Sequence, residues 1–185
     1  MTDVYLALVH HPVYNKRRQV IAAALTTIDL HDIARLSATY GLKGFYVVTP
    51  LEDQIKVAQA MIDHWAEGWG REYNATRAEA LSLVSLAYTI DEATERIRHN
   101  SGARPTLVAT TAANGPGRTS FADMRCGLLR EGPILLILGT AWGLTDETMA
   151  ACDKILEPIT GPTRYNHLSV RAAAGIILDR LLGIR

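Results

Sequence analysis

Cysteine is nearly absent from these 185 residues: only Cys126 and Cys152 occur, and neither sits in a CxxC pair. A disulfide framework is thereby excluded, and a reducing cytoplasm is the expected compartment. Long apolar runs are missing as well, so no segment reaches bilayer-spanning length and no membrane partner is expected. The opening MTDVYLALVHHP carries an acid where a signal peptide has a basic region. Charge of one sign is not in excess either, since 19 basic residues face 19 acidic ones. A net-neutral chain does not coat nucleic acid through bulk attraction, which leaves any phosphate contact to a local patch. Lysine is scarce, 4 residues against 15 arginines. Arginine suits planar, bidentate phosphate contacts, although a compositional bias explains the ratio equally well. Familiar nucleotide and hydrolase motifs are also lacking. No Lys-Ser/Thr follows the glycines of Asn114-Gly-Pro-Gly-Arg118, no GxGxxG follows the first apolar run, and no GxSxG occurs.

What is present is an ordinary globular composition, 48% hydrophobic and 21% charged, sufficient for a core without disulfide or metal. Apolar runs at 4–9, 45–48, 81–85, 106–110 and 134–138 lack strict alternation, as strands buried on both faces of a parallel sheet do. Helical spacing joins Leu30, Ile33, Ala34, Ser37 and Tyr40, with Gly41 at the expected C-cap. It also joins Leu51, Ile55, Ala58, Ile62, Trp65 and Trp69. Ser120 with Asp123 marks a helix start, and a last helix is expected over Ser169 to Leu182, capped by Ser169. Residues 67–78 read as a loose loop. No repeat or linker divides the chain, so a single domain over 1–185 is expected, α/β in class, with a mostly parallel sheet and helices on both faces.

Ligands of such sheets sit beyond the carboxyl ends of the strands. Three of these ends stand out. Val108-Ala-Thr-Thr-Ala112 offers small and hydroxyl side chains before a glycine pair. Leu138-Gly-Thr-Ala-Trp-Gly143 sets two glycines around an indole, which suits the edge and face of an adenine ring. Leu156-Glu-Pro-Ile159 opens a proline-stiffened loop that reaches Asn166-His-Leu-Ser-Val170 and an alanine-rich helix. Ordinary turns and internal packing account for each of these taken alone. His10 and His11 alternate to opposite faces, so no shared metal is expected. Asp29, His31, Asp32 and Arg35 share one helical segment, in which Asp32 and Arg35 have ion-pair spacing.

As an ordered set, the three strand ends resemble the motifs of SPOUT methyltransferases. Ile28 to Gly41 is similar to their Asn-x-Gly-x-Ile-x-Arg segment, and His11-Pro-Val-Tyr-Asn-Lys16 resembles a stretch found in small stand-alone bacterial members. The resemblance implies a deep C-terminal trefoil knot that binds S-adenosyl-L-methionine. It assigns the cofactor to Thr110, Thr111, Ala112, Leu138, Gly139, Thr140, Trp142, Gly143, Leu156, Glu157, Pro158, Ile159, His167, Leu168 and Val170. Arg35 falls on the family's catalytic arginine and Asp29 on its asparagine, with Asp29 or His31 the proton acceptor. Two departures stand out: Thr140-Ala141 replace the usual Asn-Glu, and His167 replaces an asparagine. The implied activity is methylation of tRNA or rRNA, on base or ribose, by a cytoplasmic enzyme. The implied assembly is a homodimer built on the C-terminal helix, whose apolar coverage is wide for a one-sided surface helix. An inactive RNA-binding or scaffold protein on the same fold is the alternative, and an unknotted nucleotide-binding protein a third.

Overall fold

The central strands of the sheet are apolar on both sides because helices cover both of its faces. In a computed structural model of the chain, residues 2–128 and 132–184 are described. The strands are β1 (Val4–Val9), β4 (Gly44–Val48), β5 (Val84–Ala87), β6 (Thr106–Ala109), β7 (Ile134–Gly139) and β8 (Lys154–Ile155). They lie in the order β5-β4-β1-β7-β6-β8, and every pairing is parallel. A separate antiparallel hairpin joins β2 (Val13–Tyr14) to β3 (Val20–Ile21).

Alternation along β1 divides the core in two. Val4, Leu6 and Leu8 point to one face, where they pack with side chains of α1 (Thr27–Thr39), α2 (Glu52–Ala66), α4 (Ala75–Leu81), α6 (Phe121–Gly127) and α8 (Val170–Leu182). Tyr5, Ala7 and Val9 point to the other, toward α5 (Ile90–Ser101) and α7 (Asp146–Ala151). Leu6, Leu8, Leu136 and Ile137 are fully buried, as central strands of a parallel sheet require.

The helix punctuation expected from sequence is in place. Ser120 accepts from the Asp123 amide, Ser169 from the Ala172 amide, and Gly41 follows the end of α1 with φ +67°. Four expectations are corrected. Residues 67–78 are not a loose loop; they hold α3 (Trp69–Tyr73) and the start of α4. Trp69 does not extend the α2 stripe and is 67% exposed. The chain folds back tightly at Gly68, where a Cβ would stand 2.8 Å from the His64 carbonyl oxygen. The run 81–85 splits, since Leu81 ends α4 and pairing begins at Val84. A short apolar run does not by itself separate a buried helix end from a strand. Lastly, Asp32 does not pair with Arg35 but with Arg171 of α8, at 3.4 Å. Among the described residues no helix is long and apolar enough to cross a membrane.

Candidate functional site

From β1 the chain steps outward through β4 to β5, then returns past β1 to lay down β6, β7 and β8. The sheet thus has a switch point between β1 and β7, where a crevice opens at the carboxyl ends. A cavity of about 680 Å³ lies there, within the range of small-molecule sites.

Four loop segments and two helices enclose it. After β6 come Thr110, Thr111, Ala112 and Ala113; around the end of β7 come Leu138, Gly139, Thr140, Ala141, Trp142 and Gly143. Beyond β8 come Glu157, Ile159, Asn166, His167, Leu168, Ser169 and Val170, and α8 adds Ala173 and Ile177. Ala23, Ala24, Thr26 and Asp29 form the opposite wall. Of the residues assigned to the cofactor, Leu156 and Pro158 are not in the lining. Leu156 is 1% exposed and packs in the core, while its amide donates to the Ala109 carbonyl. Of the three residues assigned to catalysis, only Asp29 reaches the cavity. His31 lies edge-on to Trp65 of α2, and burial lowers its pKa, with help from the charges of Arg77 and Arg35. Arg35 is exposed, and no carboxylate of the described residues pairs with it. Six positions along a helix advance about 9 Å and turn through about 240°, which carries Arg35 off the face that bears Asp29.

The turn after β7 is a cradle made of backbone. A Cβ on Gly139 would stand 2.7 Å from the Leu144 nitrogen, and Gly143 holds φ +97°, where L side chains are strained. The amides of Ala141, Ile159 and Leu168 make no hydrogen bond to the described residues. Unpaired donors beside the apolar surfaces of Leu138, Ile159 and Val170 offer an aromatic heterocycle both edge contacts and a greasy face. That donor set fits the adenosyl part of S-adenosylmethionine.

The opposite wall is made of side chains. Asp29 accepts from the Thr26 hydroxyl at 2.6 Å and from an Arg171 guanidinium nitrogen at 3.0 Å. Its carboxylate side chain is 12% exposed, against 39% for Arg171. Behind this wall His10 is wholly buried, and neither ring nitrogen makes a well-formed hydrogen bond to the described residues. Burial holds its pKa down to about 4, against smaller opposing pulls from Asp29 and from the nearby backbone of Ala23 and Ala24. Glu157 accepts from the Phe121 amide at 2.7 Å and thereby joins the loop after β8 to the start of α6. Among the described residues no group of three His, Cys, Asp or Glu side chains comes together to hold a metal.

The residues assigned to the cofactor leave out Ala113, Ala141, Asn166, Ser169, Ala173 and Ile177 of the lining, and sequence reasoning missed Ala23, Ala24, Thr26 and the Arg171 clamp. One signal was available: Thr26 precedes Asp29 and Leu30 with the spacing that marked Ser120 as a helix cap, which places residues 23–26 at a helix start beside the strand ends.

The chain matches the family of SAM-dependent RNA methyltransferases over residues 3–183. It is 48% identical over 181 residues to a "tRNA (guanine-N(1)-)-methyltransferase" of Oleidesulfovibrio alaskensis. That alignment covers 98% of the chain but only 42% of the relative, so the chain spans less than half that relative's length. Among solved structures, a "Probable Methyltransferase" of Bordetella pertussis Tohama I superposes with TM-score 0.66 at 19% identity, over 97% of this chain and 94% of that one. The SpoU methyltransferase AviRb of Streptomyces viridochromogenes superposes with TM-score 0.62 at 17% identity, over 97% and 58%. At these identities the structures establish a shared fold.

Proposed function

The chain belongs to the SAM-dependent RNA methyltransferase family, and from that premise we propose that it transfers a methyl group from S-adenosylmethionine to a nucleotide of tRNA or rRNA. The observation that carries this reading is the cavity at the switch point, with its glycine turn and unpaired backbone amides. The cofactor, when bound, supplies the methyl group on its sulfonium. The protein's part is to hold cofactor and acceptor in line and to exclude water. Ala141, Ile159 and Leu168 offer amides for the adenine edge, and Trp142, 59% exposed on the rim, guards the mouth. Asp29, held ready by Thr26 and Arg171, accepts or orients a proton on the acceptor nucleotide. Arg35, exposed and outside the cavity, serves the acceptor rather than the cofactor.

The trefoil knot and the dimer belong to the same proposal. Leu156 donates to Ala109, Thr119 donates to Ile155 and Glu157 donates to Thr119, so residues 155–157 lie between the two ends of the loop 110–118. Asn166 then donates to the Ala112 carbonyl on that loop, at 2.8 Å. This supports a C-terminal chain threaded through the loop. On α8, Ala174, Ile177, Leu178 and Leu181 are buried within the chain, leaving a strip around Ala172 and Ile176 for a second copy.

The test is incubation of the protein with methyl-labelled cofactor and unmodified tRNA and rRNA transcripts, followed by nucleoside analysis. Label in one nucleoside supports the reading and identifies the acceptor atom. Guanine N1 is one candidate, since the activity named for the relative belongs to a chain more than twice as long. One observation favours a second reading, an inactive RNA-binding or scaffold protein: neither Arg35 nor His31 lines the cavity. Cofactor and RNA binding without any turnover would select it.

A further inference from the structure

Between Asp3 and Asp29 there is no acidic residue, although the whole chain carries 19. That stretch holds Lys16, Arg17 and Arg18, all at the tip of the β2–β3 hairpin. The hairpin is firmly built. Asn15 accepts from the amides of Arg17 and Gln19 at 2.8 and 3.0 Å, closing the turn. Arg18 lies over the Tyr14 ring, 4.1 Å from its centroid, and pairs with Asp146 at 2.6 Å. Lys16 and Arg17 are exposed, and no carboxylate of the described residues pairs with either.

The base of the same hairpin is docked onto the cofactor turn. The Tyr14 amide donates to the Gly143 carbonyl, and the Trp142 amide donates to the Tyr14 carbonyl, each at 2.9 Å. Val13 forms an antiparallel bridge to Leu144. Three residues of chain separate Tyr14 from Arg17, at most about 11 Å. Lys16 and Arg17, with no carboxylate partner among the described residues, thus stand within about 11 Å of Tyr14 on an arm docked to the turn that lines the cavity.

We infer that the β2–β3 hairpin is a phosphate-binding finger that grips the RNA backbone next to the nucleotide held at the cavity. The inference rests on the RNA methyltransferase reading above. A neutral protein has no bulk attraction for RNA, so a local basic cluster, in which Asp146 is taken up by Arg18 while Lys16 and Arg17 have no carboxylate partner among the described residues, is what registers the strand. Because the finger shares hydrogen bonds with the cofactor turn, its grip fixes the distance between backbone and methyl donor.

The test measures affinity for an unmodified tRNA transcript by fluorescence anisotropy over a range of salt, with S-adenosylhomocysteine present. The subject is the Lys16→Gln/Arg17→Gln variant, and the control, Lys43→Gln/Arg98→Gln, loses the same charge elsewhere. Losing two phosphate contacts lowers the slope of log K against log salt by about 1.4 to 1.8, and weakens binding at 0.1 M salt roughly 25- to 60-fold. The control keeps wild-type affinity within about threefold, and both variants keep wild-type affinity for S-adenosylhomocysteine. Equal RNA affinity and slope in variant and control overturn the finger while leaving the methyltransferase reading intact. A parallel loss of cofactor affinity also overturns it, since the hairpin then acts by shaping the cavity. Absence of RNA binding by the folded wild type overturns the finger and the RNA substrate together.

Discussion

On one side of the cavity, the loops after β6, β7 and β8 present backbone amides, two glycines and apolar side chains. On the other, α1 presents a carboxylate held by a hydroxyl and by an arginine from the start of α8. The first side recognises shape, because its contacts depend on where the backbone runs and on the absence of a Cβ. The second responds to charge, because its geometry depends on an ion pair between helices 142 residues apart in sequence. On the function proposed above, a cofactor of fixed shape belongs with the first side, and an acceptor that gives up a proton belongs with the second.

Bulk added to the backbone side should do the most damage. Gly143→Trp forces an indole onto a residue at φ +97°, and Gly139→Trp pushes into the Leu144 backbone. Each should weaken S-adenosylhomocysteine binding by more than about 100-fold, or 2.7 kcal/mol, read as loss of the ligand-induced thermal shift. Retained affinity in both folded variants would place the cofactor elsewhere.

Acid should strike the wall behind Asp29 next. The unfolded chain protonates a histidine near pH 6.5, whereas folded His10 resists until about pH 4. Between these values the unfolded state binds more protons, so stability rises with pH and is lost as pH falls through the window. The full effect is about 3 kcal/mol. Urea unfolding at pH 7, 5.5 and 4.5 should show the decline, and His10→Phe should flatten it. An identical slope in the variant would assign the acid sensitivity to other groups.

Breaking the clamp is the third test. Arg171→Met leaves the sheltered Asp29 carboxylate with Thr26 alone and should cost about 1–2 kcal/mol, below a fully buried pair because Arg171 is 39% exposed. Asp32→Asn, at 3.4 Å and 46% exposure, should cost under about 0.5 kcal/mol. A loss in Asp32→Asn as large as that in Arg171→Met, by urea unfolding, would show that Asp32 rather than Asp29 carries the arginine's contribution. The smallest change is expected at the cofactor itself in Arg35→Ala. Its affinity should move by less than about tenfold, 1.4 kcal/mol, while methyl incorporation is abolished. A larger loss at unchanged thermal stability would put Arg35 on the cofactor side.

The sequence showed the backbone side far better than the charged side. Leu138 to Gly143 could be read directly, because a buried strand running into two glycines leaves its mark in consecutive residues. The same holds for the caps Ser120 and Ser169, whose partners lie three residues away. Contacts between distant segments left no such mark. Helical spacing sets Asp32 against Arg35 because that spacing is local, and Arg171 outcompetes that neighbour only once α8 packs on α1. The β2–β3 hairpin went unseen since its two-residue strands carry no periodicity. Helix α3 and the start of α4 read as a loop because Gly68, Gly70 and Asn74 interrupt every apolar stripe.

Calorimetric titration of S-adenosylhomocysteine into the wild-type chain tests most directly whether the crevice between β1 and β7 is the cofactor site. It should show one molecule bound per chain, with the negative heat-capacity change of apolar burial. A folded chain that takes up no ligand, or binds it equally well as Gly143→Trp, would contradict the account.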